Sequence, residues 1–560
     1  MTKYEMGKNR KKRVRTMIEI IISIVLLIIV VKKLFTFTTY QPYNEKEIDL
    51  QTEDKGFIAI SYFGVAREGT ETLISEDTLD AQLKALYDSG YVTISQQDIL
   101  DYYQKGKKLP EKSLFLMFED GRRDTTVFAE KVTEKYNYRS TILTYANKLE
   151  EKDSAFIQPK DMRSLAKNGY WEFGTNGYRL SYINVYDKDN NYLGQLTTKE
   201  YQQCKDSLNR DYNHYLMDYI RDENRIPMES YSEMKTRIDD DYTRLEKIYT
   251  EKMGEVPDLY VLMHANTGQF GENARVSAVN EENIKNLFSM NFNRESYAKN
   301  TLDHSIYDLT RIQPQPYWHT NHLLMRIKDD TGESVNWVDG DTRKKAEWDE
   351  IDGVSEFSGD EIYLTCESKA TGTLRLKDSA HYKDITITTE LKGNALGKQG
   401  IYLRADKDLT NYLLVAIENE ALVIKTSGEK ILYQEPLDEK KEEEQLELEQ
   451  AANHKLFLTL KENKLTVNVD GEEKIKDMEV PVKEEGYVYL QSGWGGKAYS
   501  QRNLADDVYD GVFGKLKITQ ATETKKETIL YDNMLSGTEK AVADIRKFWD
   551  RLVNLFIDTF

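Results

Sequence analysis

Cysteine and histidine are scarce in this 560-residue chain, and positive charge is outnumbered. Cys204 and Cys366 are the only cysteines and fall far apart, which excludes a disulfide framework and a cysteine-bound metal cluster. The histidines are His214, His264, His304, His319, His322, His381 and His454, few imidazoles for any transition-metal site. A formal net charge of -19 argues against nucleic acid as a partner and for a solvated acidic surface.

What the chain does have begins at its N-terminus. Lys8, Arg10, Lys11, Lys12, Arg13 and Arg15 precede an apolar run over 18–31, interrupted only by Glu19 and Ser23. Residues 16–37 approach the ~20 residues needed to cross a bilayer, and the basic flank stays inside. Phe37-Thr38-Thr39-Tyr40 is too bulky for a cleavage site, so an uncleaved N-terminal transmembrane helix is expected. The expected location is the cell membrane, single-pass, with the N-terminus cytoplasmic and the bulk of the chain extracytoplasmic. Residues 1–37 are read as basic tail and anchor, 38–55 as a linker.

The clearest internal signal is Leu114-Phe115-Leu116-Met117-Phe118-Glu119-Asp120-Gly121-Arg122-Arg123-Asp124, an apolar strand ending in two carboxylates and a glycine. Such a strand delivers side chains to the mouth of a sheet or barrel, where acids serve as base or metal ligand. Around it, residues 57–65 read as a strand, Leu79, Leu83, Leu86 and Tyr87 recur at helical spacing, and 90–94 read as a second strand. This alternation predicts a barrel-like α/β domain over 56–328.

Tyr62-Phe63-Gly64-Val65, Leu109-Pro110, Phe118 to Asp124, Trp171-Glu172-Phe173-Gly174-Thr175-Asn176, the stretch 260–271 and Leu309-Thr310-Arg311-Ile312 follow one another in a telling order. That order resembles the polysaccharide deacetylase family, the NodB-homology fold, in its exopolysaccharide branch. The resemblance implies a distorted β/α barrel that removes acetyl groups from amino sugars, using a divalent metal held by one Asp and two His with a neighbouring Asp as base. On this chain Asp120 keeps the metal-binding position and Glu119 replaces the base. Asn176 stands where the first metal His is expected, Leu180 near the second, and Phe63 at the branch's early His. An amide is a poor metal ligand and Leu is none, so no metal and no other cofactor is expected.

Catalytic candidates are therefore Glu119, Asp120 and His264, the last ending the predicted strand 259–263 as either a functional group or a strand cap. Candidates for glycan contact are Asn176, Arg179, Asn266, Arg294 and Glu295; the last two form either a surface ion pair or part of the cleft wall. His319 and His322 share a helical face, either an exposed polar pair or two ligands for a metal.

Beyond a linker at 329–344, short strands bounded by turn residues run from 345 to 520 and predict a β-sandwich. Gly400-Ile401-Tyr402-Leu403-Arg404-Ala405-Asp406, the Val469-Asp470-Gly471 turn and the strand 512–518 resemble concanavalin-like, laminin-G-type jelly rolls, whose members are often carbohydrate-binding. Trp494 is a candidate sugar-stacking platform or an aromatic cover for the sandwich core. The tail, 521–560, carries Val542, Ile545, Phe548, Trp549, Leu552, Leu555 and Phe556 at helical spacing, an amphipathic helix for the chain's own domains, the membrane, or a synthase or export partner.

The fold class expected is thus multidomain: anchor, α/β barrel, all-β sandwich and C-terminal helix. Three functions compete: a glycan-binding component of exopolysaccharide production without standard deacetylation, a glycan-cleaving enzyme using Glu119 and Asp120, and a deacetylase with an atypical site.

Overall fold

The structure, a computed structural model, describes residues 15–17, 20, 41–45, 52–53, 55–209, 213–262, 273–295, 297–438, 450–496, 507–521 and 528–559. Two compact units result, Tyr43–Met534 and a second that contains the C-terminal helix. Of the predicted anchor, residues 18–37 lie outside the described residues except for Ile20. Among the described residues no helix is long and apolar enough to cross a membrane.

Seven strands of a nine-stranded sheet form the α/β part: β1 (Phe57–Tyr62), β2 (Ser113–Phe118), β3 (Ser140–Tyr145), β4 (Trp171–Gly177), β7 (Leu259–Val261), β8 (Met290–Glu295) and β9 (Leu309–Arg311). Each of the seven pairs in parallel with the next in that order. Ile312 then closes the circle on β1: the Ser61 N–H donates to its carbonyl at 3.0 Å, and its own N–H donates to Ala59 at 3.1 Å. The result is a nearly closed barrel. Every residue of β1, β2 and β3 is buried, as expected for parallel strands covered on both faces.

Alternation sorts those side chains. Ile58, Ile60, Leu114, Leu116 and Phe118 share one core with the surrounding helices α1 (Glu76–Asp88), α4 (Tyr231–Met253), α5 (Ala274–Leu287) and α6 (Thr320–Thr331). Phe57, Ala59, Phe115, Met117, Leu143, Leu259, Val261, Phe292 and Leu309 form a second core, joined by Ile99 and Leu100 of α2 (Gln96–Lys105). Because the side-chain period is two, that inner row continues to Ser61, to Glu119 and to Arg311 at the C-terminal ends of their strands.

Between β4 and α4 the chain makes an insertion that strand-helix alternation did not announce. β5 (Ser181–Tyr186) pairs with β6 (Tyr192–Thr197) and with Asn213–His214 around a small cluster of Tyr182, Val185 and Leu208.

Two antiparallel sheets follow, of seven and eight strands, and share one apolar core. In the strand Ile385–Asn394, Ile385, Ile387, Thr389 and Leu391 are buried while the residues between them are half-exposed, the alternation of a strand with one face on a core. The sandwich does not stop at residue 520: Ile529–Asp532 adds an edge strand, with Tyr531 opposite Ile518. The predicted linker is partly ordered, since α6 runs to Thr331 and Thr342–Lys345 forms a helical turn.

Barrel and sandwich meet at α6. His322, read from sequence as exposed, is buried and places Nδ1 3.0 Å from Oδ2 of Asp510 on the sandwich strand Asp510–Gln520. The His319 N–H donates to the same oxygen at 3.1 Å, the Thr365 hydroxyl donates to Oδ1 at 2.6 Å, and Met325, Val354 and Val508 seal the junction. The last helix, α7 (Gly537–Thr559), leaves Val542, Ile545 and Phe548 exposed.

Candidate functional site

Glu119 is fully buried at the barrel mouth, on the inner row begun by Phe115 and Met117. Its Oε1 accepts hydrogen bonds from the Ser61 hydroxyl at 2.6 Å, from Gln313 Nε2 at 2.7 Å and from Arg311 Nε at 3.1 Å. Among the described residues its Oε2 has no hydrogen-bond partner. A buried carboxylate needs a matched cation and donors, and β1 and β9 supply them.

Asp120 follows with φ +63° and Gly121 with φ +64°, a left-handed pair that turns the chain out of β2 into α3 (Arg123–Lys135). Asp tolerates that region better than most residues, but a Cβ on Gly121 would lie 2.8 Å from Thr144 Cγ2, so only glycine fits there. The turn buries Asp120 Oδ1, which has no hydrogen-bond partner among the described residues. Burial first, then the neighbouring Glu119, pushes the Asp120 carboxyl up to about 7 against the opposing pull of Arg122. Tyr145, at the end of β3, is buried beside both acids, and its phenol is raised well above the usual range by burial and then by Asp120.

Asn176 bridges strands. Its Oδ1 accepts from the Asp120 N–H at 3.2 Å and its Nδ2 donates to the Val261 carbonyl at 3.2 Å, so the amide ties β4 to β2 and β7. It is 3% exposed, a brace beneath the mouth. Leu180 packs against the apolar cluster of the insertion. Phe63 is half-buried just beyond β1.

The metal implied by the resemblance does not fit these residues. Of the three positions where imidazole is expected, one carries an amide spent on two backbone groups, one an aliphatic side chain in an apolar cluster, and one a phenyl ring. Glu119 is already matched by Arg311. Among the described residues no group of three His, Cys, Asp or Glu is placed to hold a metal ion.

Arg179 lies outside this cluster of acids, in a cleft with Tyr215, Asp241 and Arg244. His264 and Asn266 lie outside the described residues, as do the side chains of Arg294 and Glu295, whose backbones pair with Arg311 and Thr310 of β9 at positions 295 and 294. Trp494 follows the sandwich strand Tyr487–Gly493, half-buried, its backbone N–H donating to the Ala370 carbonyl at 3.1 Å. Ser61, Tyr145, Arg311 and Gln313 were missed from sequence. Alternation from Leu309 pointed Arg311 inward and was the one local signal that would have found it.

No family model matches the chain. By sequence it is 25% identical over 136 residues to the poly-β-1,6-N-acetyl-D-glucosamine N-deacetylase of Staphylococcus aureus (strain MSSA476), which covers 23% of this chain and 45% of that protein. It is 24% identical over 120 residues to YxkH of Bacillus subtilis (strain 168), whose name places it among polysaccharide deacetylases; the match covers 21% of this chain and 42% of YxkH. The chain thus spans less than half the length of these curated relatives. Among solved structures, the de-N-acetylase of Aggregatibacter actinomycetemcomitans aligns with a TM-score of 0.36 at 18% identity, covering 47% of this chain and 96% of that one. The relatives found by sequence are polysaccharide deacetylases.

Proposed function

We propose that this chain is a membrane-anchored, extracytoplasmic protein of exopolysaccharide production whose deacetylase-like barrel binds glycan without metal-dependent deacetylation. The observation that carries the reading is Asn176: its amide braces Asp120 and Val261 and leaves no nitrogen lone pair for a metal. What remains at the mouth is a polar, largely buried set of hydrogen-bonding groups on rigid strands, with Glu119 Oε2 and Asp120 Oδ1 without a hydrogen-bond partner among the described residues and so left for a sugar hydroxyl. Anchoring rests on the apolar run over 18–31 and its basic flank. The sandwich serves in this reading as a second carbohydrate-contacting module, with Trp494 at one strand end.

One observation favours a second reading, cleavage of the glycan. With its carboxyl pushed up to about 7, Asp120 keeps a protonated fraction at neutral pH, as a general acid needs, while Arg311 holds the adjacent Glu119. Full-length protein in detergent, incubated with N-acetylated β-1,6-linked glucosamine oligomers, separates the readings. Binding that survives chelator with neither acetate release nor shortening supports the first, shortening that vanishes in Glu119→Gln supports the second, and metal-dependent acetate release overturns both.

A further inference from the structure

Beside the barrel mouth lies a cleft of about 400 Å³ between the Arg179 turn, Tyr215 and one face of α4, where Ser232, Thr236, Asp240 and Arg244 line up. Its walls are fixed before any ligand arrives. Buried His214, its imidazole held neutral by a value pushed down to about 4 by burial, donates from Nε2 to the Arg179 carbonyl at 3.3 Å and accepts at Nδ1 from the Leu216 N–H at 3.3 Å. The Tyr215 N–H donates to Ser181 at 2.9 Å. Arg237 is spent on Glu229, which it meets through Nη2 at 2.7 Å, and on the carbonyls of Tyr215 and Asp218.

Two polar groups inside this frame, Arg179 and Asp241, are not fully spent. Arg179 stacks over the rings of Tyr178 and Tyr215, with its guanidinium carbon 5.3 Å and 5.0 Å from their centroids. Its Nε is buried without a hydrogen bond among the described residues, 3.7 Å from Oδ1 of Asp241. Asp241 is 6% exposed, and burial raises its carboxyl to about 6 even though Arg179, Arg237 and Arg244 pull it down. An ion pair at optimal geometry would close that gap; here an acceptor and a donor stand just beyond hydrogen-bond reach of each other. Arg237 is matched by Glu229, and Arg179 and Arg244 face Glu233, Asp240 and Asp241 around the cleft, so no excess of positive charge draws an anionic ligand.

From this geometry we infer that the cleft is a second glycan subsite, holding one uncharged pyranose unit by neighbouring hydroxyls, one donating to Asp241 and the next accepting from Arg179. Its volume admits a sugar ring, and its hydrogen-bonded walls keep the ordering cost of binding low. The inference deepens the glycan reading of the mouth and rests on it: Arg179 follows the C-terminal end of β4, the end of the barrel that carries the acids.

The test is calorimetric titration of full-length protein in detergent with an uncharged, fully N-acetylated β-1,6-glucosamine oligomer. Asp241→Asn and Arg179→Gln are each expected to weaken binding at least tenfold with unchanged circular dichroism. Thr236→Trp, which fills the cleft from an exposed helix position, is expected to do the same without touching the buried pair. Unchanged affinity in Asp241→Asn and Thr236→Trp, together with loss in Asp120→Ala, overturns the subsite and leaves the mouth reading standing. Tighter binding of a polyuronate or of the fully deacetylated oligomer than of the uncharged one overturns the assigned class. No binding of any oligomer by the parent chain overturns both readings.

Discussion

Glu119 and Arg311 carry much of what holds the mouth in shape. Replacing Arg311 with Met leaves Glu119 buried without its cation, and urea unfolding is expected to show a loss of about 3–5 kcal/mol. Glu119→Gln keeps a carbonyl acceptor for Ser61 and Gln313 and is expected to cost less, about 1–2 kcal/mol. Asp120 gives a pH dependence of definite sign. Its carboxyl rises from 3.8 to about 7 on folding, so the folded state binds the extra proton between those values. The stability that goes with the neutral form is complete below the lower value and is lost as pH rises through the upper one. Asp120→Asn is expected to flatten that slope, unfolding at higher urea than the parent at pH 8, by on the order of 2 kcal/mol, with little change at pH 4.

At the scale of elements, the turn from β2 into α3 depends on Gly121. Ala there meets both a left-handed backbone and Thr144, so Gly121→Ala is expected to lower stability by about 2–4 kcal/mol in the same assay and to displace Asp120. β1 and β2 were legible in the sequence because fully buried parallel strands are continuous apolar runs, and the sandwich strand Ile385–Asn394 because its apolar residues alternate. The insertion was not: β6 alternates between half-exposed and exposed, with no buried residue to mark a core face. The ends of the strands told the identity of the acids but not their partners. Arg311 meets Glu119 across 192 residues of sequence, a pairing that leaves no local trace. Likewise, nothing in Asn176 itself says that its amide is consumed by Asp120 and Val261.

For the molecule as a whole, the junction of barrel and sandwich turns on Asp510. Burial works against its charge, yet His322, His319 and the Thr365 hydroxyl hold the carboxyl down to about 2. Asp510→Ala removes the acceptor shared by His322, the His319 N–H and Thr365. It is expected to split a single calorimetric transition of the Tyr43–Met534 unit into separate transitions for barrel and sandwich. Sequence placed His319 and His322 on one helical face but on the wrong side of the surface, because the partner of α6 is a second domain whose docking no local pattern reports. The account's central claim is that the mouth binds glycan without metal. It is tested most directly by titrating full-length protein with N-acetylated β-1,6-glucosamine oligomers in the presence of chelator and again with added zinc, following heat and released acetate together. The account predicts the same affinity in both conditions and no acetate; affinity or acetate release that appears only with zinc contradicts it.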